Sequence, residues 1–330
     1  MTIYEIAKKA GVSASTVSRV INNKASVNEE TRNKVQKVLE ENNFHLNLTA
    51  RSLSTKQSKM IGILVADIRN AHYTEMAYET ETNLLQNGYC SIIINAGNTP
   101  KRMQESIKIL SNRQVDGAVI IGSIFQNKTV ENSLKKYFNN CPIVFLNGNL
   151  PNKNVYNFVV AEDEGVKDLV YKIKDSGYKN ILFMSWMTTV SNELKRKGYL
   201  KAIEDINYKP YLLNIDEEDV KNHNTTKLIN YIKENPEVDS IICSDDYLAT
   251  LVIKTLTKEK IQIPEEIGIV GINNSEYCLF TTPSLTSLDN KLSELGQLGA
   301  QSLINLLNNK KVSKKIQIFP EIIERESLKR

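Results

Sequence analysis

The chain has 330 residues, 41% of them hydrophobic and 24% charged, with a formal net charge of +4. That length exceeds one ordinary domain and predicts two or three compact units, each able to bury its own core. Met1 opens directly into a polar, lysine-bearing segment and no later run approaches a membrane span, so a secretion signal and a transmembrane helix are excluded and a soluble cytoplasmic protein is expected.

The charge is unevenly placed. Residues 1–57 hold nine Lys/Arg against five Glu, whereas the remainder carries 33 of each sign. A basic segment on a neutral body suits a phosphate-contacting module joined to something else. Cys90, Cys141, Cys243 and Cys278 lie far apart with no C-x-x-C pair, which argues against a metal knuckle or a disulfide scaffold; all four read as small core residues.

The first elements are three short helices. Ile3, Ile6, Ala7 and Ala10 share one face, Gly11 breaks the pattern, and Val17, Val20 and Ile21 share the next face. A third helix begins at Asn28, a good N-cap, with Val35, Val38 and Leu39 turned inward. On the second helix, positions 14, 15, 18, 19 and 22 fall on the outward face and present Ala, Ser, Ser, Arg and Asn. Short side chains and one long cation suit a helix that must fit a major groove, with Arg19 able to bond guanine, Ser15 either member of a pair, and the Ala14 methyl a thymine methyl. Ser13, Ser18 and Asn22 are better placed for phosphates.

From Met60 onward, apolar runs of strand length alternate with amphipathic helices. The runs are Ile61–Ala66, Cys90–Ile94, Gly117–Ile121, Pro142–Leu146 and Asn157–Val160, then Ile181–Met184, Tyr211–Leu213, Ser240–Cys243 and Ile267–Ile272. They read as parallel strands buried on both faces, and two series imply two doubly wound lobes.

The segments Thr2–Ala7, Ala10–Ser13 and Thr16–Asn22, with Val27, Thr31-Arg32, Val35, Asn47, Ala50, Arg51, Leu53, Val115–Gly117 and Pro320–Ser327, resemble the lactose-repressor (LacI/GalR) family of bacterial regulators along the whole chain. The resemblance implies an all-α helix-turn-helix headpiece (1–46), a hinge helix and linker (47–58), and an α/β two-lobed, periplasmic-binding-protein-like sensor for effector binding and dimerisation (59–330). The N-lobe is expected over about 60–160 plus 290–318, and the C-lobe over about 161–289 plus 319–330. It implies that Thr2, Tyr4, Ser13, Asn22, Asn28 and Thr31 hold phosphates and that Ala14, Ser15 and Arg19 read bases, with Thr16 and Ser18 on the same DNA-binding helix. In the family, paired hinge helices fold in the minor groove; Asn47 and Ala50 match hinge positions and Leu53 the wedge. Leu46 departs from the proline usual there, which leaves the free hinge more conformations to lose.

Ligands of doubly wound sheets sit beyond the carboxyl ends of strands. The candidates are Asp67, Arg69, His72, Tyr73, Ser123 and Asn147 from one lobe, Lys195, Asp245 and Asn273 from the other, and Asn290 from a crossover. Lys195 stands where many sugar- and purine-binding members carry arginine, with Arg196 leaving the register open, and Asn273 stands where they carry aspartate. The function implied is a sequence-specific DNA-binding regulator, expected to repress, controlled by a sugar, sugar phosphate or related metabolite between the lobes, without cofactor or metal. Its expected partners are a near-palindromic operator and a second copy of the chain. Two alternatives stay open: a catabolite-control-type regulator governed by a phosphocarrier protein, and a ligand-binding module without DNA regulation. With His45, His72 and His223 the only histidines and no nucleophile, phosphate-loop or zinc motif, an enzyme is not expected.

Overall fold

The computed structural model describes residues 2–21, 26–42 and 57–328. The chain divides into two compact units, Met1–Ser58 and Lys59–Arg330. Asn22, Leu46, Asn47, Ala50 and Leu53 lie outside the described residues.

The first unit contains α1 (Ile3–Ala10), α2 (Ala14–Ile21) and α3 (Glu29–Glu41). Helix α1 starts at a reciprocal cap, in which the Glu5 amide donates to Thr2 Oγ1 (3.4 Å) and the Thr2 amide donates to Glu5 Oε2 (2.7 Å). It stops at Gly11, whose φ of 65° is left-handed and costs a glycine nothing. Helix α3 starts where Asn28 Oδ1 accepts from the Thr31 amide at 2.8 Å. The 3.6-residue period then places Ile6, Ala10, Val17 and Val35 in one fully buried cluster. Ala14 is a correction: it sits in the first turn of α2, half-buried against that cluster, and does not stand free on the outward face.

The second unit holds two six-stranded sheets. The first is built from β1 (Met60–Val65), β2 (Cys90–Asn95), β3 (Gly117–Ile121), β4 (Ile143–Leu146), β5 (Val155–Val160) and a late strand, β11 (Lys315–Ile318). Their order is β11-β5-β4-β3-β1-β2, and every pair is parallel. The second comprises β6 (Ile181–Ser185), β7 (Tyr211–Asn214), β8 (Ser240–Cys243), β9 (Gly268–Ile272), β10 (Thr286–Asp289) and β12 (Glu321–Ile323) in the order β12-β10-β9-β8-β6-β7, with β12 alone antiparallel. Alternation along the strands feeds two cores in this lobe: Leu182, Ile241 and Ile269 face one layer, and Phe183, Ile242 and Val270 the other.

Two expectations are overturned. Strand β2 is an edge strand with exposed and half-buried residues, because only β1 pairs with it. Cys90, at its start, is exposed and Cys141 is half-buried, so only Cys243 and Cys278 are core residues. Among the described residues, no group of His, Cys, Asp and Glu is placed to hold a metal, and no helix is long and apolar enough to cross a membrane.

The chain passes between the lobes three times: from β5 into the helix Glu162–Asp175, from β10 into the helix Leu292–Leu307, and from β11 into β12. The helix Glu162–Asp175 packs tightly on the helix Val190–Asp205 at Gly198, where a Cβ would meet the Asp163 carbonyl oxygen at 2.1 Å. Backbone cannot yield as a side-chain tip does, so Gly198→Ala should force the helices apart and cost about 1–3 kcal/mol. Urea unfolding of the full chain, followed by the single tryptophan, Trp186, measures this; an unchanged midpoint would contradict the close approach.

Candidate functional site

Two regions carry chemistry. On α2, Ser15 and Arg19 are exposed, while Ser18 and Thr16 are half-buried. Ser13 stands just ahead of the helix; its Oγ accepts from the Thr16 amide at 3.1 Å and lies 2.8 Å from Ser15 Oγ and 2.9 Å from Thr16 Oγ1. Thr2, Ser13 and Asn28 are thus all N-terminal caps, held at helix ends whose free amides and dipole favour anions. Tyr4 projects into solvent at 74% exposure, and Thr31 is half-buried in the first turn of α3. The helix can therefore offer a guanidinium and a hydroxyl to a groove, with the caps of all three helices available to flanking anions.

The second region is the cleft between the lobes, around a cavity of about 50 Å³. His72, Tyr73 and Ser123 reach it from the first lobe, and Lys195, Asp245 and Asn273 from the second. His72 is fixed at both ring nitrogens, Nδ1 lying 3.3 Å from Asn273 Oδ1 and Nε2 3.3 Å from Asn147 Nδ2. Burial first, and the Lys195 ammonium second, push its pKa down to about 3, so the ring is neutral. A neutral ring donating from Nδ1 and accepting at Nε2 satisfies both contacts. Asn273, at φ 110°, and Asn147, at φ 49°, are both left-handed, and each follows directly from a strand end. Tyr73 is buried against Gly122, where a Cβ would meet its ring at 2.4 Å, and its hydroxyl stays protonated because burial raises its pKa.

Lys195 is 3% exposed and donates to the Ser244 carbonyl at 2.9 Å, with Glu162 Oε1 at 3.6 Å. It is therefore Lys195, and not the exposed Arg196, that faces the cleft. Hydrogen bonds join the lobes directly between His72 and Asn273 and between Ser123 Oγ and the Ser191 amide, at 3.1 Å. Asp245 caps the helix Asp246–Lys258 through the Leu248 amide and accepts from Trp186 Nε1 at 2.5 Å. Asp246 behind it receives Ser287 Oγ, the Ser275 amide and Ser275 Oγ, which anchors the loop carrying Asn273; burial raises its pKa to about 6.

Four candidates stand elsewhere. Asp67 and Arg69, two residues apart, grip each other at 2.7 and 2.9 Å, and Arg69 lines a larger groove of about 810 Å³ that is bordered by both lobes and shares Asn273 with the cavity. Asn147 lies behind His72, and Asn290 is fully buried at the second crossover. Sequence reasoning missed Glu162, Ser191, Asn192 and Ser244. Ser244 Oγ is fully buried on the cavity wall with no hydrogen-bond partner among the described residues. Its place directly after β8 was the signal available for it.

Residues 2–47 match the family described as bacterial regulatory proteins, lacI family, and residues 171–328 match the periplasmic binding protein-like domain. An HTH-type transcriptional regulator of Lachnoclostridium phytofermentans is 32% identical over 331 residues, covering 99% of each chain. Catabolite control protein A of Staphylococcus aureus is 28% identical over 98% of each. The crystal structure of the lac repressor dimer bound to operator and the anti-inducer ONPF superposes with a TM-score of 0.86 at 20% identity, over all of this chain and 99% of that one. With its helical headpiece and two-lobed α/β domain, the chain belongs to the LacI family of bacterial regulatory proteins and is a helix-turn-helix DNA-binding transcriptional regulator, not an enzyme.

Proposed function

We propose that this regulator represses transcription as a homodimer on a near-palindromic operator and that a small metabolite held between its lobes controls it. Arg19 and Ser15 read bases in the major groove, the Ala14 methyl contributes at the helix start, and Thr2, Tyr4, Ser13, Ser18, Asn28 and Thr31 position the headpiece on phosphates. Asn22, Asn47, Ala50 and Leu53 are assigned to DNA by resemblance alone. The observation that carries the effector half is the convergence of His72, Tyr73, Ser123, Lys195, Asp245 and Asn273 on one cavity from two lobes. A ligand gripped by both lobes favours one angle between them and shifts the spacing of the paired headpieces. The likeness to catabolite control protein A supports a phosphocarrier protein as an additional partner in a second reading.

For the DNA half, Arg19→Ala should lose about 1–3 kcal/mol at one base pair per half-site and relax specificity there. Binding-site selection with both proteins, followed by titration of the selected operators, reads this; identical affinity and identical base preference would refute the docking. For the effector half, a thermal-shift screen of sugars, phosphosugars and nucleosides first supplies the ligand. Removing the unpartnered Ser244 hydroxyl relieves a buried unsatisfied group, so Ser244→Ala should be at least as stable as the parent without ligand. It should bind the effector with about 1 kcal/mol less, roughly fivefold weaker. A variant that is less stable but binds equally well would assign Ser244 to the core.

The His72 environment gives a pH dependence. An ordinary imidazole takes its proton near 6.5, whereas native His72 refuses it down to about 3. The unfolded chain therefore binds more protons across that interval, and the His72 contribution, full above pH 6.5, is lost as pH falls towards 3. Melting temperatures of the full chain and of His72→Gln, compared from pH 7.5 to 4.5, should diverge, with the parent losing more on acidification. Parallel profiles would contradict the desolvated ring.

A further inference from the structure

Strands β1, β3, β4, β5 and β11 are parallel, so their amino-terminal ends share one edge of the first sheet. The chain enters the sensor at that edge, since Lys59 leads directly into β1. The segments leading into these strands hold Lys59, Arg113, Lys153, Lys310, Lys311 and Lys314, all exposed. They hold one carboxylate, Asp116, which accepts from the Lys59 amide at 2.9 Å. Lys315, the first residue of β11, adds a further exposed cation. Residues 58–330 as a whole carry 33 charges of each sign, so the excess belongs to this edge and not to the sensor at large.

The lysines concentrate where β5 and β11 begin, on segments that are tied down. The Asn157 amide donates to the Lys314 carbonyl at 2.9 Å, and the Lys310 amide to the Asn305 carbonyl at 2.8 Å. The Lys314 ammonium lies 3.7 Å from the Tyr156 ring centroid and donates to the Lys153 carbonyl, joining the two segments. Asn154 Nδ2 donates to the Phe138 carbonyl at 3.1 Å, which fixes the turn ahead of β5.

Elsewhere on the sensor, lysines stand beside carboxylates: Lys201 meets Asp205 at 2.8 Å and Lys172 meets Glu324 at 2.7 Å. Among the described residues, none of Lys153, Lys310, Lys311, Lys314 and Lys315 is paired with a carboxylate. A helix dipole favours cations within the last turn, but the last turn of Leu292–Leu307 holds none, and Lys310 and Lys311 lie past it. Gathered like charges repel one another, and a polyanion relieves that repulsion while releasing its own counterions.

The fold indicates which polyanion. The chain that carries the DNA-binding headpiece joins the sensor at this same edge. In the order β11-β5-β4-β3-β1, the cluster stands four strand spacings from Lys59, roughly 19 Å. That is about six steps of 3.4 Å along one strand of a duplex, outside the bases that a recognition helix covers. Lysine ammoniums meet phosphates as point charges and need no particular sequence beneath them.

We propose that Lys153, Lys310, Lys311 and Lys315 form a second DNA-contacting surface, on the sensor itself, that binds backbone phosphates flanking the operator. It adds to the reading of the headpiece and rests on it for docking. Full-length protein is titrated, from about 50 to 200 mM salt, with a minimal operator and with the same operator lengthened by about ten base pairs of unrelated sequence at each end. The parent should bind the longer duplex more tightly and with a steeper salt dependence. The triple variant Lys153→Gln, Lys310→Gln, Lys311→Gln, three surface changes, should lose roughly tenfold on the longer duplex at the lowest salt, its slope flattening by about 0.9 for each phosphate contact removed. Its binding to the minimal operator should stay that of the parent. Lys174→Gln, Lys179→Gln, Lys233→Gln protein, which loses the same charge from exposed positions of the second lobe, should keep the advantage of the longer duplex. No advantage of length in the parent, an unchanged triple variant, or an equal loss in the second-lobe variant would overturn the flank contact and leave the headpiece reading in place. A triple variant that sediments as a monomer where the parent is a dimer would overturn it too, by assigning the lysines to a second copy of the chain.

Discussion

A carboxylate that is 1% exposed has to be met by donors, and Glu162 is met at one oxygen by three: Ser191 Oγ at 2.7 Å, Asn290 Nδ2 at 3.3 Å and the Lys195 ammonium at 3.6 Å. The three donors come from different parts of the chain. Glu162 opens the first crossover and Asn290 lies in the second, while Ser191 and Lys195 belong to a second-lobe helix that walls the cleft. Leaving one buried partner unpaired typically costs about 3–5 kcal/mol, so the group is retained or lost together. The path continues: Asn290 also donates to Asn273 Oδ1 at 3.0 Å, Asn273 meets His72, and His72 meets Asn147 in the other lobe. A buried polar chain thus runs from the hinge, past the ligand cavity, into both lobes. A change in the angle between the lobes would have to break or remake these bonds.

This arrangement explains why the cleft is polar yet shaped with little freedom. His72 is neutral and tied at both nitrogens, Lys195 is committed to Glu162 and to the Ser244 carbonyl, and Asp246 braces the loop of Asn273 from behind. Ser244 Oγ and Asn290 Oδ1 are the exceptions, buried without partners among the described residues. A ligand hydroxyl that reaches Ser244 adds a bond without breaking one, so affinity is gained there at little expense to the hinge.

The headpiece was legible in the sequence because its period and its breaks are local: Gly11 ends α1 and Asn28 opens α3 through neighbours within four residues, although the Thr2 cap was not read. Ala14 was misplaced because a methyl in a first turn reaches the core from a position that the helical wheel draws outside. Most strands were legible as apolar runs. Thr286–Asp289, Lys315–Ile318 and Glu321–Ile323 were not: the first is an inner strand whose polar residues Thr286 and Ser287 are buried through hydrogen bonds to Ser327 and Asp246, and the other two are edge strands with exposed positions. In the cleft, the polar residues directly after strands could be found, since sheet geometry sends those ends to the ligand. Glu162, Ser191 and Asn192 could not, because their helices bring them there through tertiary packing. Asp67 and Arg69 follow a strand too, but their proximity lets them satisfy each other.

The hinge chain is expected to set the angle between the lobes. Pulsed electron paramagnetic resonance on Lys108→Cys, Lys258→Cys protein in a Cys90→Ser, Cys141→Ser background, spin-diluted with unlabelled chain, measures one distance across the lobes. The account predicts a single narrow distribution for the parent and a broadened or two-peaked distribution once Asn290→Ala removes the link between Glu162 and Asn273. Superimposable distributions would contradict it.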